Sequence, residues 1–559
     1  MKISYTITDD NGGVEVLGDD LRVPGNLAPG NYTLDFIVSN SDGWSQRITQ
    51  AIKVSDYDPD RYMFFATRNR QPSGAVVTIA AGAEYKAVKL LFGNGSTPKR
   101  DFKLHFSGFS MTEGGASPAE SQIPNATQNL DSVALIYNGV SYPCSLSAST
   151  IAAGALGVWA SVLLPVDLAA DDIFGVDVIY HGAVGETQIP VYQVQPQRGE
   201  RVYGASSLSA VQTLAASAGP SNLIETASYW GPDLMVAKGW DGGPVALVAN
   251  DSIGDQRNDD RLHADARGNQ GYLRRWLDIK DPDFGRVPHH MMSVPGAHAE
   301  YLMLTTNVPG SSPPSPSIKV WQVLDEAIAF NAGALPWTVV VNQMGQNDLA
   351  TDLSLTEARV NSMLGRIEAR YPEQRIVGLT LLPNTTSTDN WLTRVNQSPR
   401  TSAAINGYPA GVKYQYNDYV KAGMGGRLAG SIDAYAPIHD PAYGGTWPAP
   451  YFTTTLAEQA GSNGTATYTT VVLNSKPQLG SFLVWGTPSS SNTGHAGSIV
   501  SISGIGPYTV TLDRTNTQVA AANSVVWSPN CADQVHPEEY MCSWLAANIS
   551  QSEKATLVG

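Results

Sequence analysis

Cysteine is scarce in this chain, which has three among its 559 residues. Three cysteines cannot build a disulfide framework, and their spacing lacks the paired pattern of a structural zinc site. Cys531 and Cys542 flank one of the motifs described below. Whether they pair stays open, because a disulfide requires a geometry that a sequence does not show. No disulfide framework is therefore expected to hold the fold.

Charged residues and long apolar runs are also few. Charged residues make up 15% of the chain, and the net charge of -15 should repel nucleic-acid phosphates and anionic membranes. No run approaches the roughly 18 apolar residues of a membrane helix, and residues 1–10 lack an apolar signal region. Either a leader was removed or the protein leaves its cell without one. We therefore expect an extracellular or virion-associated protein that binds neither nucleic acid nor membrane.

Small and turn-forming residues dominate the composition, which favours β-rich modules. At about 100–200 residues per domain, the length suggests three or four domains. Residues 1–57 alternate like a half-buried sheet and predict a small module of the Ig or cadherin type. Residues 58–200 contain seven short apolar runs between turn signals, which predict a β-sandwich.

From Gly239 onwards, strand and helix patterns alternate, which predicts βαβ units and a mostly parallel sheet with helices on both faces. The corresponding domain spans 201–440 plus 529–559. A helix over Leu355–Arg370 should begin with a capping box from Ser354 to Glu357. The predicted strands are Val245–Ala249, His290–Val294, Thr338–Asn342 and Ile376–Leu382.

Residues 441–528 interrupt this domain with β-type alternation and turn signals, and they predict an inserted small β module. The insertion begins and ends beside the last motif, so it could form one wall of a cleft. Tyr443, Trp447 and Tyr451 are candidates for stacking on sugar rings, because aromatic faces bury the apolar side of a ring. Packing in a core is the competing interpretation of these three side chains.

A serine-bearing turn follows the first strand of the α/β domain. Asn250-Asp251 should end that strand and expose Ser252. Asn347 follows another apolar run, Trp337–Val341. Asp533 and His536 precede a predicted helix over Glu538–Ile549. Open α/β sheets bind ligands at the carboxyl ends of their strands, where these residues are expected to meet.

In these residues the chain resembles the SGNH (GDSL-type) esterase family, whose four motif blocks all have candidates in the right order. The blocks are matched by Ser252, Gly296, Asn347, and Asp533 with His536. The resemblance covers roughly residues 235–440 plus 530–550, less than half of the chain. Asn250 departs from the pattern, since the family usually has glycine there. The resemblance implies a flavodoxin-like three-layer α/β/α catalytic domain.

The resemblance also implies a chemistry. His536 would be the base for Ser252, and Asp533 would orient the imidazole. The backbone N–H groups of Ser252 and Gly296 and the side-chain amide of Asn347 would form the oxyanion hole. No cofactor or metal is required. An acidic run, Asp251, Asp255, Asp259 and Asp260, lacks the pattern of a calcium loop.

The expected function is that of a serine esterase, a carboxylic ester hydrolase that removes O-acetyl groups from an extracellular or bacterial surface polysaccharide. The acetyl preference is implied by the resemblance and by the β modules, not by the motifs. The architecture would also suit a phage tail protein, for which a homotrimer is an option. Two alternatives stay open: a lipase or arylesterase of the same fold, and a non-catalytic glycan-binding adhesin or tail protein.

Overall fold

The computed structural model describes most of the chain, and the helices and strands below refer to that part. Within the described residues, no helix combines the length and the apolarity needed to cross a lipid bilayer. The residues outside the description are 1, 8–14, 18–19, 23–29, 40–44, 55–57, 74–76, 112–119, 122–126, 225–226, 255–263, 284, 300–317, 373, 390, 461–467, 478–481, 486–495, 517–521, 523, 529–530, 532–535, 538 and 559.

The N-terminal segment forms two small antiparallel sheets. Strands β1, β4 and β5 pair in the order β1-β4-β5, and β2 pairs with β3. The long hairpin of β4 and β5 pairs ten residues on each side, which accounts for the predicted alternation. The strands are β1 (Lys2–Ile7), β2 (Glu15–Leu17), β3 (Asp20–Arg22), β4 (Gly30–Ser39) and β5 (Ser45–Val54).

A two-sheet β-sandwich follows. One sheet has the order β13-β12-β17-β8-β20 and the other β14-β16-β9-β22-β6, and apolar side chains of both sheets share one core. The strands are β6 (Met63–Phe64), β7 (Val77–Thr78), β8 (Tyr85–Gly93), β9 (Lys99–Ser107), β10 (Ser110–Met111), β11 (Glu120–Ser121), β12 (Gln128–Tyr137), β13 (Val140–Pro143), β14 (Ser145–Leu146), β15 (Thr150–Ile151), β16 (Gly157–Leu168), β17 (Ile173–His181), β18 (Thr187–Gln188), β19 (Tyr192–Gln193), β20 (Arg201–Ala205), β21 (Ser228–Tyr229) and β22 (Leu234–Ala237).

The sandwich extends further along the chain than the sequence predicts. Strand β20 pairs with β8, and β22 pairs with β9, so both belong to the sandwich sheets. Helix α1 (Leu208–Ala216), capped by the side chain of Ser207, lies between these two strands in sequence. The predicted boundary at residue 200 therefore falls inside the sandwich, and the domain continues through Ala237. Short strands separated by a Ser- and Ala-rich helix do not produce a visible strand pattern.

The α/β domain is built on five parallel strands in the order β24-β23-β25-β26-β29. Numbered within the domain this order is 2-1-3-4-5, the flavodoxin-like doubly wound arrangement. A hairpin, β27 with β28, lies outside this sheet. The elements are β23 (Ala246–Asn250), α2 (Tyr272–Asp278), β24 (His289–Ser293), α3 (Ile318–Ala329), β25 (Val339–Asn342), α4 (Leu353–Arg370), β26 (Arg375–Leu379), β27 (Thr385–Ser387), β28 (Gln397–Pro399), α5 (Ala403–Asn406), α6 (Val412–Lys421), β29 (Gly430–Ile432) and α7 (Glu539–Asn548).

Helices cover both faces of this sheet. Alternate strand residues such as Leu247 and Val340 pack with α3, α4 and α6. Their neighbours, such as Val248 and Val339, pack with α2 and α7. Burial on both faces explains why these strands are continuous apolar runs that are recognisable from sequence.

Helix α4 begins differently from its prediction. Its N-cap is Asp352, whose carboxylate accepts a hydrogen bond from the backbone N–H of Ser354 at 2.9 Å. The predicted capping box from Ser354 to Glu357 is therefore wrong, because the helix begins two residues earlier. Aspartate and serine are both strong N-cap residues, so the sequence offered two starts.

The inserted segment forms a small β-barrel. Its sheet has the order β30-β35-β32-β33-β34-β31. A bridge between Leu456 and Leu473 then joins the two outer strands, and Asn474 N–H donates to the Thr455 carbonyl at 3.0 Å. The strands are β30 (Phe452–Thr455), β31 (Tyr468–Leu473), β32 (Phe482–Trp485), β33 (Ala496–Ser503), β34 (Tyr508–Asn516) and β35 (Val525–Ser528).

The sandwich and the α/β domain share a seam at the outer strand β24. Met291 N–H donates to the Asn69 carbonyl at 2.9 Å, and Gln71 N–H donates to the Met291 carbonyl at 3.2 Å. This segment covers the exposed edge of the parallel sheet. His289 and His290 lie on β24 and are buried, and burial lowers the pKa of His289 to about 4 and that of His290 to about 3.

We predict that acid weakens the protein through these two histidines. Both rings are neutral in the folded protein, whereas the unfolded chain takes up protons near the ordinary value of 6.5. Their contribution to stability is complete above pH 6.5. It falls by roughly 1.4 kcal/mol per histidine and pH unit as the pH drops from 6.5 towards 4. Urea denaturation between pH 7.5 and 4.5 measures this slope.

His289→Gln should reduce the pH dependence of the free energy of unfolding by the contribution of one histidine, roughly 1.4 kcal/mol per pH unit. His439→Gln, at an exposed ring, is the matched control and should leave it unchanged. Equal slopes in the wild type and His289→Gln would show that the burial of this ring does not govern acid stability.

Candidate active site

The serine turn lies directly beyond the carboxyl end of β23. The carboxylate of Asp251 accepts a hydrogen bond from the Ile253 N–H at 2.9 Å, which fixes the turn that carries Ser252. The serine is 7% exposed. Strand β23 lies between β24 and β25, so this turn is at the switch point where doubly wound sheets bind their ligands.

The structure explains why asparagine is tolerated at position 250. Asn250 is the last residue of β23, so its backbone is extended, and its side-chain carbonyl accepts a hydrogen bond from the Ser293 hydroxyl. Its amide lies against Gly254. A Cβ atom at Gly254 would be 1.9 Å from Asn250 Nδ2 and 2.7 Å from Gln343 Oε1. A side chain at Gly254 would therefore have to displace the Asn250 and Gln343 side chains.

The predicted base reaches the predicted nucleophile. His536 Nε2 lies 2.8 Å from Ser252 Oγ, although 284 positions separate the two residues. With the proton on Nδ1, His536 Nε2 accepts a hydrogen bond from the Ser252 hydroxyl. The imidazole is 7% exposed, like the serine. Asp533, the predicted orienting carboxylate, lies outside the described residues.

The asparagine block joins the serine and glycine blocks. Asn347 Nδ2 donates to Asp251 Oδ2 at 3.2 Å and to the Ala297 carbonyl at 3.0 Å. Gly296 has a φ of 83°, a left-handed conformation that favours glycine. The carboxyl ends of β23, β24 and β25 therefore bring Ser252, Gly296 and Asn347 to one edge of the sheet.

Two buried carboxylates support these loops, and neither was predicted as part of the site. Burial raises the pKa of Asp251 to about 6, a rise to which the charge of Asp348 adds and which His536 and His298 oppose. Asp348 accepts a hydrogen bond from the Ala299 N–H at 3.0 Å, and His298 Nδ1 lies 3.4 Å away. Both carboxylates directly adjoin motif residues, and that position was the available signal.

The three aromatic residues predicted to stack on sugar rings lie in different environments. Trp447 is fully buried, and its backbone pairs with the Gln397 side chain at 2.8 and 2.9 Å. It is a core residue and cannot stack on a substrate, so that prediction is wrong. Tyr443 is 45% exposed and Tyr451 is half-buried on the wall of a cleft. Their roles stay predictions.

The structure shows whether Cys531 and Cys542 pair and whether the described residues include a group that could hold a metal ion. Cys531 and Cys542 are both buried, and no disulfide bond joins them. Among the residues that the structure describes, no group of three or more His, Cys, Asp or Glu side chains could hold a metal ion. Asp255, Asp259 and Asp260 of the acidic run lie outside that part of the chain.

Comparisons with known proteins find likenesses in solved structures only. No family model and no curated protein matches the chain. A possible lipase from Chitinophaga pinensis is 13% identical with a TM-score of 0.24, over 56% of this chain and 98% of that one. A family two carbohydrate esterase from Cellvibrio japonicus is 11% identical with a TM-score of 0.24, over 69% and 90%.

A third solved structure, from Bacteroides ovatus and described as a GDSL-like lipase, is 9% identical with a TM-score of 0.22, over 65% of this chain and 78% of that one. Two of these three solved structures are described as lipases and one as a carbohydrate esterase. At TM-scores this low, the likeness supports no conclusion about the activity of this chain.

We predict that Gly254→Ala disables the serine turn. The added methyl group cannot fit without displacing the Asn250 amide, and a misplacement of about 1 Å can cost roughly 10²-fold in reactivity. The rate at which a fluorophosphonate labels Ser252 should fall by about that factor. Gly219→Ala is the control, because its nearest neighbour would be 3.5 Å away. Equal labelling of both variants would contradict the steric account.

Proposed function

We propose that the protein is a serine esterase of the SGNH (GDSL) type that removes O-acetyl groups from a polysaccharide. The observation that carries the proposal is the 2.8 Å contact between Ser252 Oγ and His536 Nε2 at the carboxyl edge of a flavodoxin-like sheet. A serine hydroxyl is a poor nucleophile unless an adjacent base accepts its proton. The motif residues and this contact support the same chemistry independently.

In the proposed reaction, Ser252 Oγ attacks the ester carbonyl while His536 Nε2 accepts the hydroxyl proton. Collapse of the tetrahedral intermediate breaks the bond to the alcohol oxygen, and His536 returns the proton to that oxygen. Water then attacks the acetyl-serine with the same histidine as base, which releases acetate and restores the hydroxyl. Asp533 is assigned to orient the imidazole, as the family pattern implies.

The oxyanion would be stabilised by the N–H groups of Ser252 and Gly296 and by the Asn347 amide. Each such donor typically contributes about 10²–10³ in rate. Both amide hydrogens of Asn347 have protein acceptors in the ligand-free site, and the contact to Asp251 is the longer at 3.2 Å. We infer that the amide exchanges this contact for the oxyanion. Asp251 thereby holds the donor in position before the substrate binds.

The small exposed fraction of the site favours a short acyl group. Ser252 and His536 are each only 7% exposed, so a long chain would need a wider opening around the reacting atoms. This favours acetyl esters over the long-chain esters of a lipase. The polysaccharide as the alcohol component rests on the β modules and on the resemblance.

We predict that Ser252→Ala and His536→Ala each lower kcat for p-nitrophenyl acetate by about 10⁴-fold, because each removes half of the nucleophile–base pair. His439→Ala, at an exposed histidine outside this pair, is the control. Equal hydrolysis by the wild type and Ser252→Ala would leave only a glycan-binding protein. Faster hydrolysis of long-chain esters than of acetate esters would decide for a lipase.

A double-mutant cycle tests the role of Asp251. Asp251→Asn keeps an acceptor for the Ile253 N–H but can turn a second donor towards the Asn347 amide. We predict that Asn347→Ala lowers kcat by about 10²-fold and that Asp251→Asn lowers it by about tenfold. The double variant should be no worse than Asn347→Ala alone. Additive losses would show that Asp251 acts on the reaction by another route.

A further inference from the structure

A second hollow lies at the same edge of the parallel sheet as the serine. It is an open cleft of about 230 Å³. Its walls come from three segments that are far apart in sequence, and they include Arg394, Pro437, Pro448, Tyr451, Met541 and Trp544. The cleft is therefore a product of the tertiary fold and not of one loop.

The position of the cleft relates it to the active site. Arg394 lies in the β27–β28 hairpin, which follows β26 in the chain, and Pro437 follows the carboxyl end of β29. Met541 and Trp544 belong to α7, the helix that directly follows His536. Five residues span at most roughly 18 Å, so Met541 lies within that distance of His536. The cleft is thus close enough to hold another part of a polymeric substrate.

Arg394 adds a cationic side chain to the lining of the cleft. Its Nη1 lies 3.5 Å from Asp440 Oδ2, which is an ion-pair distance, and the Arg394 side chain is 19% exposed. Among the described residues, buried Nη1 has no hydrogen-bond acceptor. Because Nη1 itself is buried, a ligand in the cleft would meet the exposed part of the Arg394 side chain.

The chemistry of the walls selects the ligand. Tyr451 and Trp544 offer aromatic faces, and two prolines add flat apolar surface, which suits the apolar face of a sugar ring. The Arg394 side chain supplies donors for hydroxyl groups, and its charge is balanced by Asp440 at 3.5 Å. The chain as a whole carries a charge of -15, which disfavours a polyanionic glycan.

We propose that this cleft is a subsite for a neutral sugar residue of the polysaccharide, some distance along the chain from the acetylated residue. The proposal rests on the proposed function and adds the substrate class to it. In this role Tyr451, Trp544 and Arg394 are positioning residues: they hold the polymer while Ser252 acts on one of its esters. Their contribution should appear in KM for polymers and not in the chemical step.

Binding can be measured without catalysis. Isothermal titration of xylohexaose into Ser252→Ala should show binding, and Tyr451→Ala in the same background should weaken it about tenfold, whereas Tyr451→Phe should retain it because the ring remains. Oligogalacturonate is the anionic probe and should bind more weakly than xylohexaose. Equal affinity of Ser252→Ala with and without Tyr451→Ala, no binding at all, or preference for oligogalacturonate would overturn the proposal.

The kinetic test separates this proposal from the esterase itself. In the wild-type background, Tyr451→Ala should raise KM for acetylated xylan about tenfold relative to its effect on p-nitrophenyl acetate, and kcat for xylan should change little. Tyr142→Ala, at a partly buried tyrosine of the sandwich, is the matched control. If Ser252→Ala hydrolyses p-nitrophenyl acetate like the wild type, the proposed function fails. If Ser252→Ala is inactive but Tyr451→Ala leaves KM for acetylated xylan unchanged, the subsite proposal fails and the proposed function stands.

Discussion

The contact between Ser252 and His536 is the constraint on which the rest of the architecture depends. The chain must return to the same sheet edge after 284 positions, and the inserted barrel lies within that interval. The barrel permits the return because its first and last strands are neighbours: Phe452 of β30 pairs with Ser528 of β35. The insertion therefore ends where it began, and α7 can pack on the sheet as if the barrel were absent.

The loops around the serine are held by buried polar groups, which bind three separate strand ends together. Asp251 and Asp348 lie in a region where an unpaired carboxylate would be costly. Each accepts a hydrogen bond from a neighbouring loop, Asp251 from the Asn347 amide and Asp348 from the Ala299 N–H. Asn347 spans the serine and glycine loops. In the proposed esterase, such a network would order the oxyanion donors before the substrate binds, as electrostatic catalysis requires.

Sequence patterns predicted the strands that are buried on both faces. They missed strands and side chains whose environment is set by contacts with residues remote in sequence. Strand β23 is buried on both faces, so its apolar run was visible, and the serine after it could be predicted. Strands β20 and β22 join the sandwich across a Ser- and Ala-rich segment, and their pairing partners are remote in sequence. Trp447 and Tyr451 lie four residues apart in similar sequence surroundings. Only the folded structure shows that Trp447 is buried in a core and that Tyr451 is half-buried. The steric restriction at Gly254 likewise arises from a close approach of the Asn250 side chain.

The two regions beyond the carboxyl ends of the parallel strands differ in the side chains that line them. At β23, β24 and β25, polar groups are fixed by short contacts because a reacting atom must be placed accurately. Near the β27–β28 hairpin and the end of β29, the cleft is lined by aromatic rings, prolines and Arg394, and in the proposed function these groups would bind by surface contact. Helix α7 joins the two regions, since its preceding loop carries His536 and its own residues line the cleft. Tyr451 lies directly before β30, so the barrel holds one wall of the cleft in place. If the proposed subsite is correct, changes in the insertion would alter polymer binding more than the chemical step.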